Sequence, residues 1–311
     1  MTLISIITPS YNQADFLEKT LTSVLEQDYP EIEYLVVDGG SSDGSVEIIR
    51  RYAAKLAWWV SEADSGQACA INKGFARAKG EIVAWLNSDD YYLPETLSTV
   101  ARLFAEHPEA GIIYGDVLSV NAAGEPIHVQ RFRPYTLDDL MAFNIISQPA
   151  VFMRRSLLEK VGYLADDYHL LLDHHLWLRM AQHAPLFYTP QILAAARYHE
   201  NAKNIAKAAD FGKEAFKIVA WMQTEPALTA RFEQHKAEIL AGAHHLDAFY
   251  LVEAKQMRAA LAAYGRAFRQ HPATALKSWK RILYALLSTL GLSRVRAIYL
   301  KARKKNLARH V

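Results

Sequence analysis

Ile32-Glu33-Tyr34-Leu35-Val36-Val37-Asp38-Gly39-Gly40-Ser41-Ser42-Asp43-Gly44-Ser45 is the stretch that decides the architecture. Ile32–Val37 is a near-continuous apolar run, the pattern of a strand buried on both faces. It stops at Asp38, and the glycines and small polar residues that follow suit a tight loop that caps the next helix, Val46–Tyr52. Upstream, Leu3–Thr8 is a second strand, ended by Pro9, and Phe16–Gln27 places Phe16, Leu17, Leu21, Val24 and Leu25 on one helical face. Downstream come a strand at Trp58–Val60, a helix at Gln67–Ala78 closed by Gly80, and a strand at Glu81–Leu86. A helix from Pro94 to Phe104 and a strand at Gly111–Val120 follow. Strand and helix alternate over short connections, which predicts an α/β fold: a mixed, mostly parallel sheet with flanking helices.

The alternation loosens after residue 120. Asn121–Gly124 reads as a hairpin turn, Ala150–Met153 and Ile192–Tyr198 as strands, and Asp173–His183 as a helix. From about Ala206 onward the pattern is helical throughout, so the expected organisation is an α/β domain over 1–204 and an α-helical C-terminal region over 205–311. Leu246–Pro272 resembles a single tetratricopeptide-like helix pair, and one copy does not make a solenoid.

A chain of 311 residues with 51% hydrophobic and 22% charged residues has the composition of a globular protein with a large core. The start, Met1–Ile7, runs straight into a strand pattern without a basic leader, so no signal peptide is expected. No 18 apolar residues follow one another, and the one cysteine, Cys69, has no internal partner; both fit a cytoplasmic protein. The net charge of +2 hides an asymmetry. Residues 1–253 hold 21 Lys/Arg against 33 Asp/Glu, whereas the residues after Glu253 hold 14 Lys/Arg and no acid. Such a split points to a polyanionic partner for the tail.

Ligands of open α/β sheets bind beyond the carboxyl ends of the strands. Three polar clusters fall at such ends: Pro9-Ser10-Tyr11-Asn12, Asp38-Gly39 and Asn87-Ser88-Asp89-Asp90. Turn chemistry explains any one of them, and three in succession far less readily. With Asp64-Ser65-Gly66-Gln67, Asn72-Lys73-Gly74, Gly80-Glu81 and Asp173 through Leu176-Trp177-Leu178-Arg179, they make an ordered set over residues 3–200 that resembles glycosyltransferase family 2, whose fold is GT-A, a Rossmann-like α/β arrangement.

That resemblance implies roles. Asp89 matches the metal-binding end of the family's Asp-x-Asp motif and would hold Mn²⁺ or Mg²⁺, with Asp90 and the late His199 as further metal candidates. The motif's first position is Asn87, whose amide suits a ribose hydroxyl better than a cation. Asp38 would bond the base or ribose and Tyr11 would lie against the base. Pro9, Gln67, Asn72, Lys73 and Ser88 complete the expected donor site, Lys73 by pairing with phosphate. Asp173 would be the general base that activates the acceptor, and Gln148 would line the acceptor side. Asp43 reads instead as an acid at a helix N-terminus. The family's usual Glu before the base is Leu172 here.

The expected function is therefore inverting transfer of a single sugar from a nucleotide-diphospho-sugar, a UDP-sugar by family habit, to a hydroxyl of a glycan or lipid-linked acceptor. A surface glycan of a bacterium is the expected product. The Gln-x-x-Arg-Trp element of the processive synthases is absent, as are a P-loop and Gly-x-Gly-x-x-Gly. The alternative is an inactive relative serving as a membrane-associated binding or scaffold module; Asn87 and Leu172 support it, and Asp38, Asp89 and Asp173 oppose it. Lys277–Lys305 mixes Trp279, Ile282, Leu283, Leu286, Leu287, Leu290 and Leu292 with Lys280, Arg281, Arg294, Arg296, Lys301, Arg303, Lys304 and Lys305. A basic amphipathic helix of this kind suits an anionic membrane surface on the cytoplasmic side, and its leucine face favours lipid over nucleic acid. A helical subdomain packed on the catalytic domain is the plainer reading of the same segment.

Overall fold

The computed structural model describes residues 1–199 and 202–292, and these cluster into two compact units. The first comprises Met1–Thr136 and Ile146–Arg197; the second comprises Leu137–Ile145 together with the chain from Tyr198 onward.

The first unit is built on a mixed sheet. Its parallel half follows the expected strands: β1 (Ile4–Ser10), β2 (Ile32–Asp38), β3 (Trp58–Ser61) and β4 (Ile82–Trp85), in the order β3-β2-β1-β4. The registers Ser10↔Asp38, Asp38↔Ser61 and Ile7↔Trp85 bring all four carboxyl ends to one edge. The helices α1 (Ala14–Leu25), α2 (Ser45–Tyr52), α3 (Gln67–Phe75) and α4 (Thr96–Glu106) connect or flank these strands. One face of the sheet carries Ile4, Ile6, Tyr34, Val36, Ile82 and Ala84 into a core shared with Leu17, Leu21 and Val24 of α1 and with Leu97, Val100 and Phe104 of α4. On the other face Gly74 lets α3 lie directly against Ile7, where a Cβ would collide with that side chain.

Beyond β4 the sheet turns antiparallel: β8 (Val151–Arg154) pairs with β4, and β6 (Ile112–Asn121) pairs with β8 and with β7 (Pro126–Gln130). The two-residue β5 (Tyr91–Tyr92) pairs with β9 (Leu186–Tyr198), which begins six residues before the run Ile192–Tyr198 that the sequence marks as strand. The short β5 and β7, and the short helices α5 (Leu137–Met141) and α6 (Arg155–Val161), carry too few residues for a periodic signal. Helix α7 (Leu172–Ala181) is buried at Leu172, His174, His175, Leu176, Trp177, Leu178 and Met180. Such all-round burial exceeds the one-sided pattern of a surface helix.

In the second unit α8 (Lys203–Ala206) precedes α9 (Phe211–Thr224), α10 (Thr229–Glu253), α11 (Met257–Gln270), α12 (Pro272–Leu276) and α13 (Trp279–Thr289). Ala248, Leu251 and Val252 of α10 pack with Ala260, Ala263 and Tyr264 of α11 and Ala285 of α13, so the helix pair read from the sequence exists and has a third helix against it. Helix α13 turns Ala285 inward and leaves Trp279, Leu283 and Leu286 about half exposed. These three share one face at spacings of four and three residues. Arg294, Arg296, Lys301, Arg303, Lys304 and Lys305 lie outside the described residues. No helix among the described residues is long and apolar enough to cross a membrane.

Candidate active site at the carboxyl edge of the parallel strands

Tyr11 and Asn12 leave β1 at the sheet edge, with Asn12 in the left-handed region (φ 51°). The Asn12 N–H donates to Ser41 Oγ (2.8 Å), and its Oδ1 accepts from the Ser42 N–H (2.9 Å), so the loops after β1 and β2 are stapled together. Asp43 accepts from the Ala14 N–H at 2.9 Å and from the Ser45 N–H and hydroxyl at 3.0 and 2.6 Å. Burial pushes its carboxyl up, but these bonds together outweigh that and hold it below the usual range. Asp43 thus organises the starts of α1 and α2. Pro9 is buried within β1, whereas the Tyr11 side chain is 63% exposed and free to meet a planar ligand.

Asp38 is wholly buried and heavily bonded. Its Oδ2 accepts from the Gly40 N–H (3.1 Å), the Ser41 N–H (2.9 Å) and the Ser61 hydroxyl (2.7 Å), and its Oδ1 from the Ser41 hydroxyl (2.5 Å). Four bonds from within the protein thus fall on this one carboxylate, three of them on Oδ2. The resemblance gave Asp38 a direct bond to the nucleoside. The structure gives it the turn after β2 and the tie to β3.

The other donor-side candidates are similarly engaged. Asn72 clamps residues 164–166: its Nδ2 donates to the Leu164 carbonyl (2.8 Å) and its Oδ1 accepts from the Leu164 N–H (3.0 Å). Lys73 Nζ is paired with Glu62 at 2.5 Å, which holds its amine above the usual value against the opposing effect of burial. Its intended phosphate therefore competes with a carboxylate. Gln67 Nε2 donates to Asn87 Oδ1 (2.7 Å), Asn87 Nδ2 to Gln148 Oε1 (3.2 Å), and Gln148 Nε2 to the Trp85 carbonyl (2.7 Å). Asn87 therefore sits in the middle of an amide chain that ties α3 to the end of β4. Ser88 is buried, and its carbonyl accepts from the Thr20 hydroxyl at 2.9 Å.

Asp89 and Asp90 part company. Asp89 is half-buried at the strand end, while Asp90 is buried and its Oδ1 accepts from the Arg197 N–H at 2.9 Å. Burial, and then the Asp89 charge, push the Asp90 carboxyl well above the usual carboxylate range, although the Arg197 N–H and the Asn87 amide oppose this. Asp90 is thus turned inward, contrary to its reading as a ligand. His199 follows β9 and belongs to the second unit, where its carbonyl accepts from the Ala202 N–H at 3.0 Å. Among the described residues no three His, Cys, Asp or Glu stand close enough together to cage an ion. A single carboxylate still fits Mg²⁺ or Mn²⁺, which is commonly bound by one or two carboxylates plus substrate phosphates and water. Asp89 meets that description.

Asp173 lies in the first turn of α7, half-buried, and its Oδ1 accepts from the His174 N–H at 2.7 Å. One turn later Trp177 stacks on Trp85, the last residue of β4, at 5.3 Å between ring centroids. Residues four apart share a helix face, so Asp173 lies on the side of α7 that packs against the end of β4. Arg179 is spent elsewhere: it donates to the carbonyls of Val161, Gly162 and Tyr163 at the end of α6.

Sequence reasoning missed Arg197, whose only signal was its place beside His199. Its Nε donates to the Asp89 carbonyl and its Nη1 to the Ala122 carbonyl (2.7 Å), and its guanidinium lies 4.8 Å from the Phe16 ring centroid.

The family model described as Glycosyl transferase family 2 matches residues 5–162. A PGL/p-HBAD biosynthesis glycosyltransferase of Mycobacterium bovis is 30% identical over 205 residues, covering 64% of this chain and 77% of the relative. The O-antigen biosynthesis protein RfbC of Myxococcus xanthus is 30% identical over 185 residues, 58% of this chain and 14% of that protein. Against glycosyltransferases of Rickettsia conorii and Rickettsia typhi the chain spans 34% and 64% of their length. In fold, S. aureus TarS in complex with UDP-GlcNAc aligns with a TM-score of 0.61 at 19% identity, over 90% of this chain and 92% of that one. The mannosyltransferase PcManGT of Pyrobaculum calidifontis, in complex with GDP-Man and Mn²⁺, aligns with a TM-score of 0.61 at 23% identity, over 94% and 87%. The mixed sheet with flanking helices is the GT-A fold of these neighbours, and the chain belongs to glycosyl transferase family 2.

Proposed function

We propose that this glycosyltransferase moves a single sugar, with inversion, from a UDP-sugar to a hydroxyl of a glycan or lipid-linked acceptor in the assembly of a bacterial surface glycan. The observation that carries the reading is the shared edge: β1, β2 and β4 end together, with Tyr11 exposed and Asp89 half-buried there, and α7 packs Trp177 on Trp85 at the end of β4. UDP-GlcNAc bound to one structural neighbour and the O-antigen name of one relative support the donor and the product.

Attack on the anomeric carbon requires removal of the acceptor's proton on the face away from the leaving nucleotide. Asp173 is the carboxylate for that task. One base suffices for a single displacement, which inverts the centre. Mn²⁺ or Mg²⁺ held by Asp89 with the donor diphosphate would neutralise charge that builds on the leaving oxygen. Tyr11 offers an aromatic face to the base.

An anionic membrane is the proposed location. The exposed Trp279, Leu283 and Leu286 face of α13, with Lys280 beside Trp279 and no acidic residue after Glu253, supports it. Arg281 is not part of that surface, because it pairs with Glu253 at 2.8 Å and lies over the Phe249 ring.

The test is release of nucleoside diphosphate from a panel of sugar nucleotides, with Mn²⁺, with Mg²⁺ and with EDTA. Metal-dependent release from a UDP-sugar is the expected result. Binding without release under every condition would give the scaffold reading instead.

A further inference from the structure

We infer that Asp64 is the residue that reads the nucleobase, selecting a base whose ring presents an N–H donor, such as uracil or guanine, over one whose ring nitrogen is an acceptor, such as cytosine. The inference rests on the donor-binding reading above and assigns its specificity to a residue on the loop after β3.

Asp38, at the end of β2, is buried and its carboxylate is held by four bonds from the turn after it and from Ser61. The next residue, Gly39, has no side chain, and the space where one would point is filled from another strand. A Cβ on Gly39 would lie 3.0 Å from Asp64 Oδ2, 3.3 Å from its Cγ and 3.4 Å from its Oδ1. The Asp64 carboxylate therefore lies broadside over the Gly39 backbone. Gly40, at φ +81°, brings the same turn against Ala63, where a Cβ would come within 3.3 Å of the backbone nitrogen. The two glycines thus make a shallow floor, with Asp64 on the β3 side and Tyr11 leaving β1 on the other.

Asp64 is only partly committed. Its Oδ1 accepts from the Gly66 N–H at 2.8 Å, which fixes the carboxylate, while Oδ2 takes no hydrogen bond among the described residues and the side chain is half exposed. An ionised carboxylate only accepts. Uracil N3–H and guanine N1–H can donate to it; cytosine N3 and adenine N1 carry lone pairs that it repels. A polar group built to bond a ligand N–H discriminates against the analogue that lacks it, because the mismatch leaves both partners desolvated and unpaired.

Binding of UDP, GDP and CDP in the presence of Mn²⁺, measured by calorimetry on the full chain, tests the assignment. Wild-type protein is expected to bind UDP and GDP at least about tenfold more tightly than CDP. Asp64→Asn keeps the shape and the acceptor for Gly66, but its amide also donates to cytosine N3. It should bring UDP and CDP within about threefold of each other. Gly39→Ala leaves Asp64 in the chain and pushes its carboxylate aside, so it should narrow the same ratio. Equal binding of UDP and CDP by wild type, or an unchanged ratio in Asp64→Asn, overturns the assignment while leaving the donor reading intact. Failure of wild type to bind any of the three overturns both.

Discussion

Arg197 Nε donates to the carbonyl of Asp89 at 2.9 Å, so a side chain from the long strand β9 fixes the backbone of the connection between β4 and β5. The Arg197 backbone N–H holds Asp90 Oδ1 at the same distance, and Nη1 reaches the Ala122 carbonyl beyond β6. Three segments distant in sequence are therefore tied together at the backbone from which the Asp89 carboxylate projects.

Arg197→Lys should disturb that aim. Lysine keeps the charge but cannot reproduce the forked bonds, and hydrogen bonds to charged groups contribute about 1.5–3 kcal/mol each. The expected outcome is a rise of roughly tenfold in the Mn²⁺ concentration that half-activates donor turnover, with circular dichroism unchanged. An unaltered metal requirement would mean that Asp89 is held without Arg197.

Asp89→Ala removes the carboxylate itself. Loss of a group that stabilises charge on the leaving oxygen should raise the barrier by about 3 kcal/mol, on the scale of an oxyanion-hole donor. Steady-state turnover with saturating UDP-sugar and Mn²⁺ is the measurement, and a near-wild-type rate would remove Asp89 from the metal site.

Asp173→Asn preserves size and cannot take the acceptor's proton. Transfer should fall by roughly 10²–10⁴ while donor affinity stays close to wild type. A mutant that loses donor affinity but transfers normally at saturation would show that the base lies elsewhere.

Acid should weaken the helical unit through His245. Burial, and then the charges of Lys277 and Arg281, push its imidazole down to about 4, and its Nε2 shares a hydrogen bond with the Ser278 hydroxyl at 2.8 Å. The folded value lies below the unfolded value of about 6.5, so the unfolded chain takes up the proton first. Stability is full above pH 6.5 and falls between there and pH 4, by on the order of 2–3 kcal/mol. Unfolding curves at pH 7.5 and 4.5 should show this loss in the wild type and much less of it in His245→Gln. Equal acid sensitivity in the two proteins would assign the effect to other groups.

Trp279→Glu with Leu283→Glu tests the membrane surface without truncating α13, whose Ala285 is part of a core. Wild-type protein should sediment with vesicles containing anionic lipid and release in 1 M salt, where the Debye length is about 3 Å. The double variant should stay in the supernatant. Equal association of wild type with neutral and anionic vesicles would contradict the electrostatic contribution.

The sequence by itself determined the parallel half of the sheet, because β1, β2 and β4 are apolar runs followed by polar turn residues at Tyr11-Asn12, Gly39-Gly40 and Asn87-Ser88. The end of β1 departs from that reading, since Pro9 pairs with Val37 inside the strand. It also determined that three polar clusters share an edge, since parallel strands joined by helices must place their carboxyl ends together. Only the tertiary structure decided which members of those clusters face outward. Asp89 and Asp90 are adjacent and chemically identical, yet Arg197, more than a hundred residues later, draws one inward and leaves the other half-exposed. Asp38 and Asp64 differ in the same way, because the bonds that hold the first inside come from the turn after it and from Ser61, and the glycine that makes room for the second lies in a different strand's loop. Local pattern reports a residue's type and spacing. Burial and hydrogen-bond partners are set by segments brought together only when the chain folds.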